Sequence, residues 1–340
     1  MQKENAPEQK ASSLENMTNH QFRELIARSV GDRRAFLPTH LAIEMTNACN
    51  ADCIMCPYSA QTRVKGVLRA DKHALIIDKI KAWGAPINMI THAGLGDPLL
   101  DKRLEDKLVY EKTVFPNAQV IVYTNGGLLD EARARRLLAS PVDVVSFSVN
   151  GFRKETYENV MKISRDTTFA NIERFDALRR EQPRRVRMAV SLVKTDLCST
   201  EEIKEFVEYW RGKADDIILP QWISWGDYFE KPPVEDDAQI PCFYIWKTMM
   251  IDHDGTVKMC CEDYDSKYKM GNILEQDPNE IFNSARMMRQ RGDQLRGDFS
   301  SPKICQGCSE AKTSARGFWL QAALYPTQPP VCGDGLAAAE

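Results

Sequence analysis

From residue 40 to residue 220, short apolar runs alternate with longer amphipathic segments, and this rhythm limits the folds open to the chain. The runs are LAIEM (41–45), INMIT (87–91), QVIVYT (119–124), DVVSFSV (143–149), RVRMAVSLV (185–193) and DDIILP (215–220). They are rich in Ile and Val and mostly lack a clean two-residue alternation, as strands buried on both faces do. Helical segments are predicted between them around 72–83, 102–113, 129–139, 168–180 and 200–211. The last opens with Ser199 and Glu202 in capping-box spacing. Strands with intervening helices imply an α/β fold around a parallel sheet with right-handed crossovers, open or partly closed into a barrel. Functional loops then belong at the carboxyl ends of the strands.

The rhythm changes after Pro232-Pro233, which places a boundary near 235. WKTMMIDHDGTVKMC (246–260) reads as two strands joined by an Asp-Gly turn. A helix is predicted near 278–292, with Asp277 as N-cap, Pro278 at the first helical position and Glu280 at the third. The expected organisation is an N-terminal extension (1–35), a main domain (36–234), a small second domain (235–312) and a tail (313–340). Within the extension, 1–19 reads as disordered and 20–30 as a short amphipathic helix.

A net charge of −3 gives no general pull toward nucleic acid or acidic membranes. The pairs Arg179-Arg180 and Arg184-Arg185 are interleaved with acids and read as solvated helix ends. No apolar run approaches the roughly 18 residues of a membrane span. The polar N-terminus lacks a signal peptide's apolar stretch, so a cytoplasmic location is expected. In that reducing compartment the ten cysteines are poor disulfide candidates, and their clustering suggests metal ligands.

Cys49, Cys53 and Cys56, spaced C-x3-C-x2-C, follow the first strand directly. Three thiolates can hold three irons of a [4Fe–4S] cluster and leave the fourth open; a zinc site with a distant fourth ligand is the alternative. The loop resembles the signature of the radical S-adenosylmethionine (SAM) superfamily, which implies a partial (βα)6 barrel. It also implies SAM bound to the open iron and cleaved to a 5′-deoxyadenosyl radical. Gly94-Leu95-Gly96-Asp97-Pro98 resembles that family's GGEP-type motif, with Asp97 in place of Glu. The resemblance implies further SAM contacts at Asn125, Ser146, Ser148 and Asn150, and at Met55, which stands where the family usually has an aromatic residue near the adenine.

A second group comprises Cys242, twelve residues, Gly255, four residues and Cys260, followed by Cys305 and Cys308. Four thiolates suffice for a closed [4Fe–4S] cluster or a structural zinc. The pattern resembles the SPASM/twitch extension of radical SAM enzymes. The absence of cysteine from Ser309 to Ala323 points to the short, one-cluster twitch form, a hairpin plus a helix. Cys198 reads as a structural thiol and Cys332 as a surface thiol. If Cys260 and Cys261 lie on a strand, their side chains point to opposite faces. Cys261 is then either a small buried hydrophobe or a group facing the barrel.

The layout is similar to that of the twitch-bearing dehydrogenases of aminoglycoside biosynthesis. The resemblance implies hydrogen abstraction from a carbinol carbon of a sugar, aminocyclitol or nucleoside-like intermediate, and oxidation to a ketone with the second cluster as electron acceptor. His92, Arg187, Trp222, Glu262 and Asp263 are candidate bases or hydroxyl-binding groups, each also readable as a packing or turn residue. Cys261 as hydrogen donor would give an epimerase instead, and diol dehydration is a third outcome. Peptide modification is disfavoured because residues 1–40 are short for a leader-binding domain. A zinc-bearing binding module is the non-enzyme alternative. The expected partners are a small-molecule substrate and an external one-electron reductant of flavodoxin or ferredoxin type, with no nucleic acid and no membrane.

Overall fold

The computed structural model describes residues 17–31, 35–226, 228–231 and 239–311. Residues 1–16, the Pro232-Pro233 boundary and the tail from 312 onward with Cys332 lie outside them. Six strands alternate with helices: β1 (His40–Ile43), α2 (Ala70–Trp83), β2 (Met89–His92), α3 (Leu104–Val114), β3 (Gln119–Thr124), α4 (Glu131–Ala139), β4 (Val144–Ser148), α5 (Lys154–Met161), α6 (Arg165–Arg180), β5 (Arg187–Ser191), α7 (Thr200–Trp210) and β6 (Asp216–Ile218), with α1 (Asn19–Val30) before them. The strands stand in sequence order and pair in parallel, His40 opposite Met89, Met89 opposite Gln119 and Val144 opposite Arg187.

When every crossover steps in the same direction, the helices collect on one face. Val120, Val122, Val145 and Phe147 accordingly share one core with Ile76, Leu108 and Phe175 of the helices. The alternate residues, Met89, Ile121, Val144 and Tyr123, form a separate small cluster on the other face. Such a singly wound sheet is a partial barrel, and its second face is the lumen.

The segment after 239 does not make a sheet of its own. After the short α8 (Phe243–Lys247), β7 (Thr248–Ile251) pairs parallel with β1, placing Leu41 opposite Met249. Antiparallel β8 (Thr256–Lys258) and β9 (Lys269–Asn272) follow, so the sheet runs β6-β5-β4-β3-β2-β1-β7-β8-β9. A hairpin was legible; its third strand and its attachment to β1 were not. Gly255 makes the turn with φ +88°, where a Cβ would lie 2.6 Å from the Leu274 side chain.

Three local expectations need correction. The helix expected at 278–292 is two, α9 (Pro278–Phe282) and α10 (Ala285–Leu295). It breaks because Asn283 turns its amide onto the backbone N–H and C=O of Phe36, and Ser284 then caps the second piece. Ser199 Oγ does accept from Glu202 N, but the Glu202 carboxylate does not complete a capping box. It is buried and accepts instead from Phe152 N, Arg153 N and Thr156 Oγ1, tying α7 to the start of the unexpected helix α5. Arg179 is not solvated but buried, ion-paired to Asp176 and Asp215 and bonded to the Lys213 carbonyl.

Behind β2, Glu111 lies between His73 and His92, at 2.7 and 3.0 Å, all three buried. Burial alone would raise its pKa, yet the charge of His92 and the hydrogen bonds from both imidazoles hold it down at about 2.

Two outcomes follow. Glu202→Ala leaves three donors without their acceptor and should cost about 2–4 kcal/mol in urea unfolding, part of it recovered in Glu202→Gln; a loss inside about 0.5 kcal/mol would mean water takes over the donors. Because the folded pKa of Glu111 is depressed, its stabilisation is present above the ordinary value of 4.5 and is lost as pH falls toward about 2. Glu111→Gln should flatten that acid limb of the stability–pH curve.

Candidate active site: two groups of thiols

The chain leaves β1 at Glu44 and returns to α2 near Arg69, and the first three cysteines lie in this loop. Asn47 braces it from inside, donating to Gln61 Oε1 and the Val64 carbonyl and accepting from Gly66 N. Tyr58 clamps the backbone of Cys49, its hydroxyl accepting from Cys49 N and donating to Cys49 O. Cys49, Cys53 and Cys56 are half-buried and free of disulfides. Ala51 N and Asn125 Nδ2 donate toward Cys49 Sγ at 3.4 and 3.7 Å, and Cys53 Sγ lies 3.5 Å from Met161 Sδ. Burial pushes all three thiols up, Cys56 to about 12, and neighbouring Cys49 and Asp52 add to it for Cys53 and Cys56. A bound cation reverses that balance and deprotonates its thiol ligands.

The glycines after β2 are there because the cysteine loop passes over them. A Cβ on Gly96 would sit 2.1 Å from Thr46 O and 2.6 Å from Ala48 O, and one on Gly94 would meet Glu44 Cγ at 2.7 Å. Asp97, which stands in place of the Glu of the GGEP-type motif, turns its carboxylate inward. It is buried and accepts from Leu99 N, Asn125 N and Thr124 Oγ1. An aspartate, one methylene shorter than the expected Glu, caps its own turn and ties the end of β3 to this loop.

Asn125 stands beside Cys49 and pairs with Asn50, its Nδ2 donating to Asn50 Oδ1 at 2.8 Å. Asn150 accepts from Val193 N and donates to Met161 Sδ, so it holds the β4 and β5 ends against the Cys53 side of the loop. Ser148 ends β4, whereas Ser146, on the same face, lies one pleat lower in the lumen near Arg187 and Asp216. The Met55 side chain is packed into the core, and its carbonyl accepts from Trp225 Nε1 at 2.8 Å.

Cys242, Cys260, Cys305 and Cys308 are buried around a second space of about 340 Å³, mouth included, walled by Ile245, Met259 and Ile304. Among the described residues no three His, Cys, Asp or Glu side chains close around one point as a lone metal ion demands. The thiols ring a cavity instead. Gln290 and Gln294, at i and i+4 on α10, aim their amide nitrogens at Cys305 Sγ from 3.7 and 3.8 Å. Burial, with mutual repulsion, raises Cys242, Cys260 and Cys308 well above the usual thiol range. Buried thiols with N–H donors aimed at sulfur fit a cluster of several irons, the three half-buried thiols of the first loop an open one.

Cys260 and Cys261 do not lie on a strand, because β8 ends at Lys258; both border the cavity, and the expected opposition of their side chains is lost. Glu262 lines it too, buried, with Oε2 accepting from Gly226 N at 2.8 Å and from Ser224 Oγ at 3.4 Å, and with Oε1 lacking a hydrogen-bond partner. The sequence reading missed Glu310, two residues beyond Cys308, whose carboxyl also borders the cavity. Burial and then the charge of Glu262 push Glu310 up to about 7.

The other candidate bases are placed elsewhere. His92 points behind the sheet to Glu111. Arg187 opens β5, at the opposite end of the strand from the catalytic loops, and its Nη2 donates to both carboxylate oxygens of Asp216 at 2.8 and 2.7 Å. Asp263 caps a turn by accepting from Lys267 N and Tyr268 N. Trp222, beyond β6, packs edge-on against Phe229 with its indole nitrogen unpartnered. Cys198 is buried beside Thr195.

Comparison with known proteins agrees with this geometry. The family model of the radical SAM superfamily matches residues 43–209, and that of SPASM, an iron–sulfur cluster-binding domain, matches residues 242–309. The AdoMet-dependent heme synthase of Methanosarcina barkeri is 30% identical over 345 aligned positions, which cover 85% of this chain and 96% of that protein. The S-adenosyl-L-methionine-dependent 2-deoxy-scyllo-inosamine dehydrogenase of Niallia circulans is 22% identical over 275, covering 79% and 92%. The crystal structure of BtrN in complex with AdoMet and 2-DOIA superposes with a TM-score of 0.57 at 17% identity, covering 81% and 94%. No helix among the described residues is long and apolar enough to cross a membrane. The chain is thus an enzyme of the radical SAM superfamily, with SAM and iron–sulfur clusters as cofactors and a SPASM cluster-binding domain behind its barrel.

Proposed function

We propose that this enzyme removes hydrogen from a carbinol carbon of a sugar, aminocyclitol or nucleoside-like intermediate of secondary metabolism and leaves a ketone. The observation that carries this reading is the pair of carboxylates, buried Glu262 and half-buried Glu310, on the wall of the four-thiol cavity. With SAM and both clusters bound, the cofactors supply the 5′-deoxyadenosyl radical that takes the hydrogen atom and an acceptor for the electron left on the substrate carbon. Completing the two-electron oxidation also requires that the hydroxyl proton leave. Glu262 Oε1 has no partner to compete for that proton, and Glu310 stands on the same wall as a second acceptor. Asn125, Asn150, Ser148 and the close approach of Gly94 and Gly96 to the cysteine loop shape the wall against which SAM would lie.

The relative from Niallia circulans, named a dehydrogenase, supports the reaction class over most of both chains. The heme synthase from Methanosarcina barkeri shows that the same frame serves other substrates, so substrate class rests on assay. The reading includes a cytoplasmic setting and an external one-electron reductant of flavodoxin or ferredoxin type.

A second reading draws on Cys261. It borders the same cavity as the two carboxylates, and a thiol there could return a hydrogen atom to the substrate carbon. The thiyl radical left on Cys261 would take up a proton and an electron from the external reductant, and the outcome for the substrate would be redox-neutral epimerisation.

Anaerobically reconstituted protein should carry about eight irons and a matching amount of acid-labile sulfide per chain, falling to about four in the Cys49→Ala/Cys53→Ala/Cys56→Ala variant. Four falling to none would remove the electron acceptor and the dehydrogenase reading with it. Against a panel of aminocyclitols and amino sugars in D2O, dehydrogenation gives a product two hydrogens lighter, and Cys261→Ala retains it. Deuterium on carbon at unchanged oxidation level, abolished by Cys261→Ala, would establish the epimerase instead. Loss of water without net oxidation would establish a dehydratase, and activity confined to peptides would reject the substrate class.

A further inference from the structure

The stretch that follows β6, residues 222–226 and 228–231, reaches the loops that carry Cys56, Cys260 and Cys305. Trp225 Nε1 donates to the carbonyl of Met55, the residue before Cys56. On either side of it, Ser224 Oγ and Gly226 N donate to Glu262 Oε2, two residues past Cys260. Lys231 Nζ donates to the carbonyls of Lys303, Ile304 and Gln306 at 3.2, 3.2 and 2.8 Å, the backbone that frames Cys305. The backbone is bent to make these contacts together. Trp225 has φ +49°, a left-handed conformation that a bulky residue holds only where its surroundings enforce it. Gly226 follows at φ +72°, and a Cβ there would press on Ile304 at 3.1 Å. The bend sends the indole N–H one way, to the first thiol loop, and the next amide N–H the other way, to the second.

We propose that the described residues 222–226 and 228–231 act as a strap that sets the first thiol loop against the auxiliary cage, with Trp225, Lys231 and their partner Glu262 as positioning residues. The pairing of β7 with β1 fixes the strands, but Cys56 lies thirteen residues beyond β1, and Cys305 lies far beyond β9. The ion pair of Arg63 with Asp252 ties the first loop to the hairpin, whereas the loop of Cys305 is held to the strap by Lys231, and supporting groups of this kind decide how accurately a metal site is held. Trp225 touches the first loop and Glu262 the second, so through the strap a change at either must register at the other. The inference rests on the cofactor assignment and not on the reaction catalysed.

The test uses reconstituted holoenzyme without substrate, so the dehydrogenase reading does not enter it. Electron paramagnetic resonance spectra of the reduced clusters, with and without SAM, and the rate of SAM cleavage are recorded together with iron content. Glu262→Ala and Lys231→Met should each shift the signal of the SAM-bound first cluster and slow SAM cleavage by about tenfold or more, whereas Lys231→Arg, which keeps donors for the carbonyls around Cys305, should stay within about twofold of wild type. In the Cys49→Ala/Cys53→Ala/Cys56→Ala background, adding Trp225→Phe should still alter the auxiliary signal, although the indole N–H bonds only the first loop. If Glu262→Ala disturbs the auxiliary signal alone, or Lys231→Arg is as impaired as Lys231→Met at full iron content, the strap does not couple the sites. Should Glu262→Ala lose iron, the Trp225→Phe comparison decides, and an unchanged auxiliary signal there overturns the proposal.

Discussion

The buried ion network at the end of β1 is the contact on which the two halves of the molecule depend. Glu44, where β1 stops, takes both terminal nitrogens of Arg63 at 2.7 and 2.8 Å, and Arg63 also reaches Asp252 at 3.2 Å. Lys258 pairs with the same Asp252 at 3.1 Å, and His253 lies 3.3 Å from Glu44. Arg63 belongs to the cysteine loop, Asp252 and Lys258 to the hairpin, and Glu44 Oε1 also accepts from Leu95 N beside the two close-packed glycines. Burial would raise the pKa of Glu44, yet hydrogen bonds from His253 and Arg63 hold it far below the usual carboxylate range. Buried charges of this kind stand only while paired, and removing one partner typically costs about 3–5 kcal/mol. The network thus locks the first thiol loop, the glycine loop and the auxiliary hairpin into one arrangement before any cofactor is considered.

Much of the barrel was legible because its strands are buried on both faces, and continuous Ile/Val runs survive any detail of packing. β3 falls at 119–124 as read, and the other five lie within their runs or one residue past them. The helix α5 escaped notice because its eight residues carry only Tyr157, Val160 and Met161 on the buried side, too few to show a period. The addition of β7 to β1 could not be read locally at all. TMMI states that a strand is buried, and which edge receives it depends on the edge left free by the β1–β2 pairing.

The site divides along the same line. Thiols announce themselves by spacing, and both groups stand where their spacing put them. Carboxylates and imidazoles do not, because their role depends on which way the backbone turns them. His92 lies on a strand whose alternate residues face opposite sides, and it drew the helix side. Asp263 satisfies two backbone N–H groups, while its neighbour Glu262, with the same charge, faces the cage. Glu310 gave no signal beyond its position two residues after Cys308. The orientation of the Cys260-Cys261 pair was inferred from strand geometry that ends two residues too early.

The charges around the auxiliary cage bear on what it can accept. Glu262 and Glu310 bring negative charge to its wall, which opposes the arrival of an electron, while Lys231 and the amides of Gln290 and Gln294 favour it. A proton taken up by either carboxylate removes that opposing charge. In the oxidation of a carbinol, a proton and an electron must leave the substrate together, and here their acceptors would share one wall of low dielectric, where a change of one charge counts for most. An epimerisation would run the other way, because hydrogen-atom transfer from Cys261 leaves a thiyl radical that an electron and a proton must then quench. Either reaction therefore uses the carboxylates, and the direction in which proton and electron cross that wall is what separates net oxidation from the redox-neutral outcome.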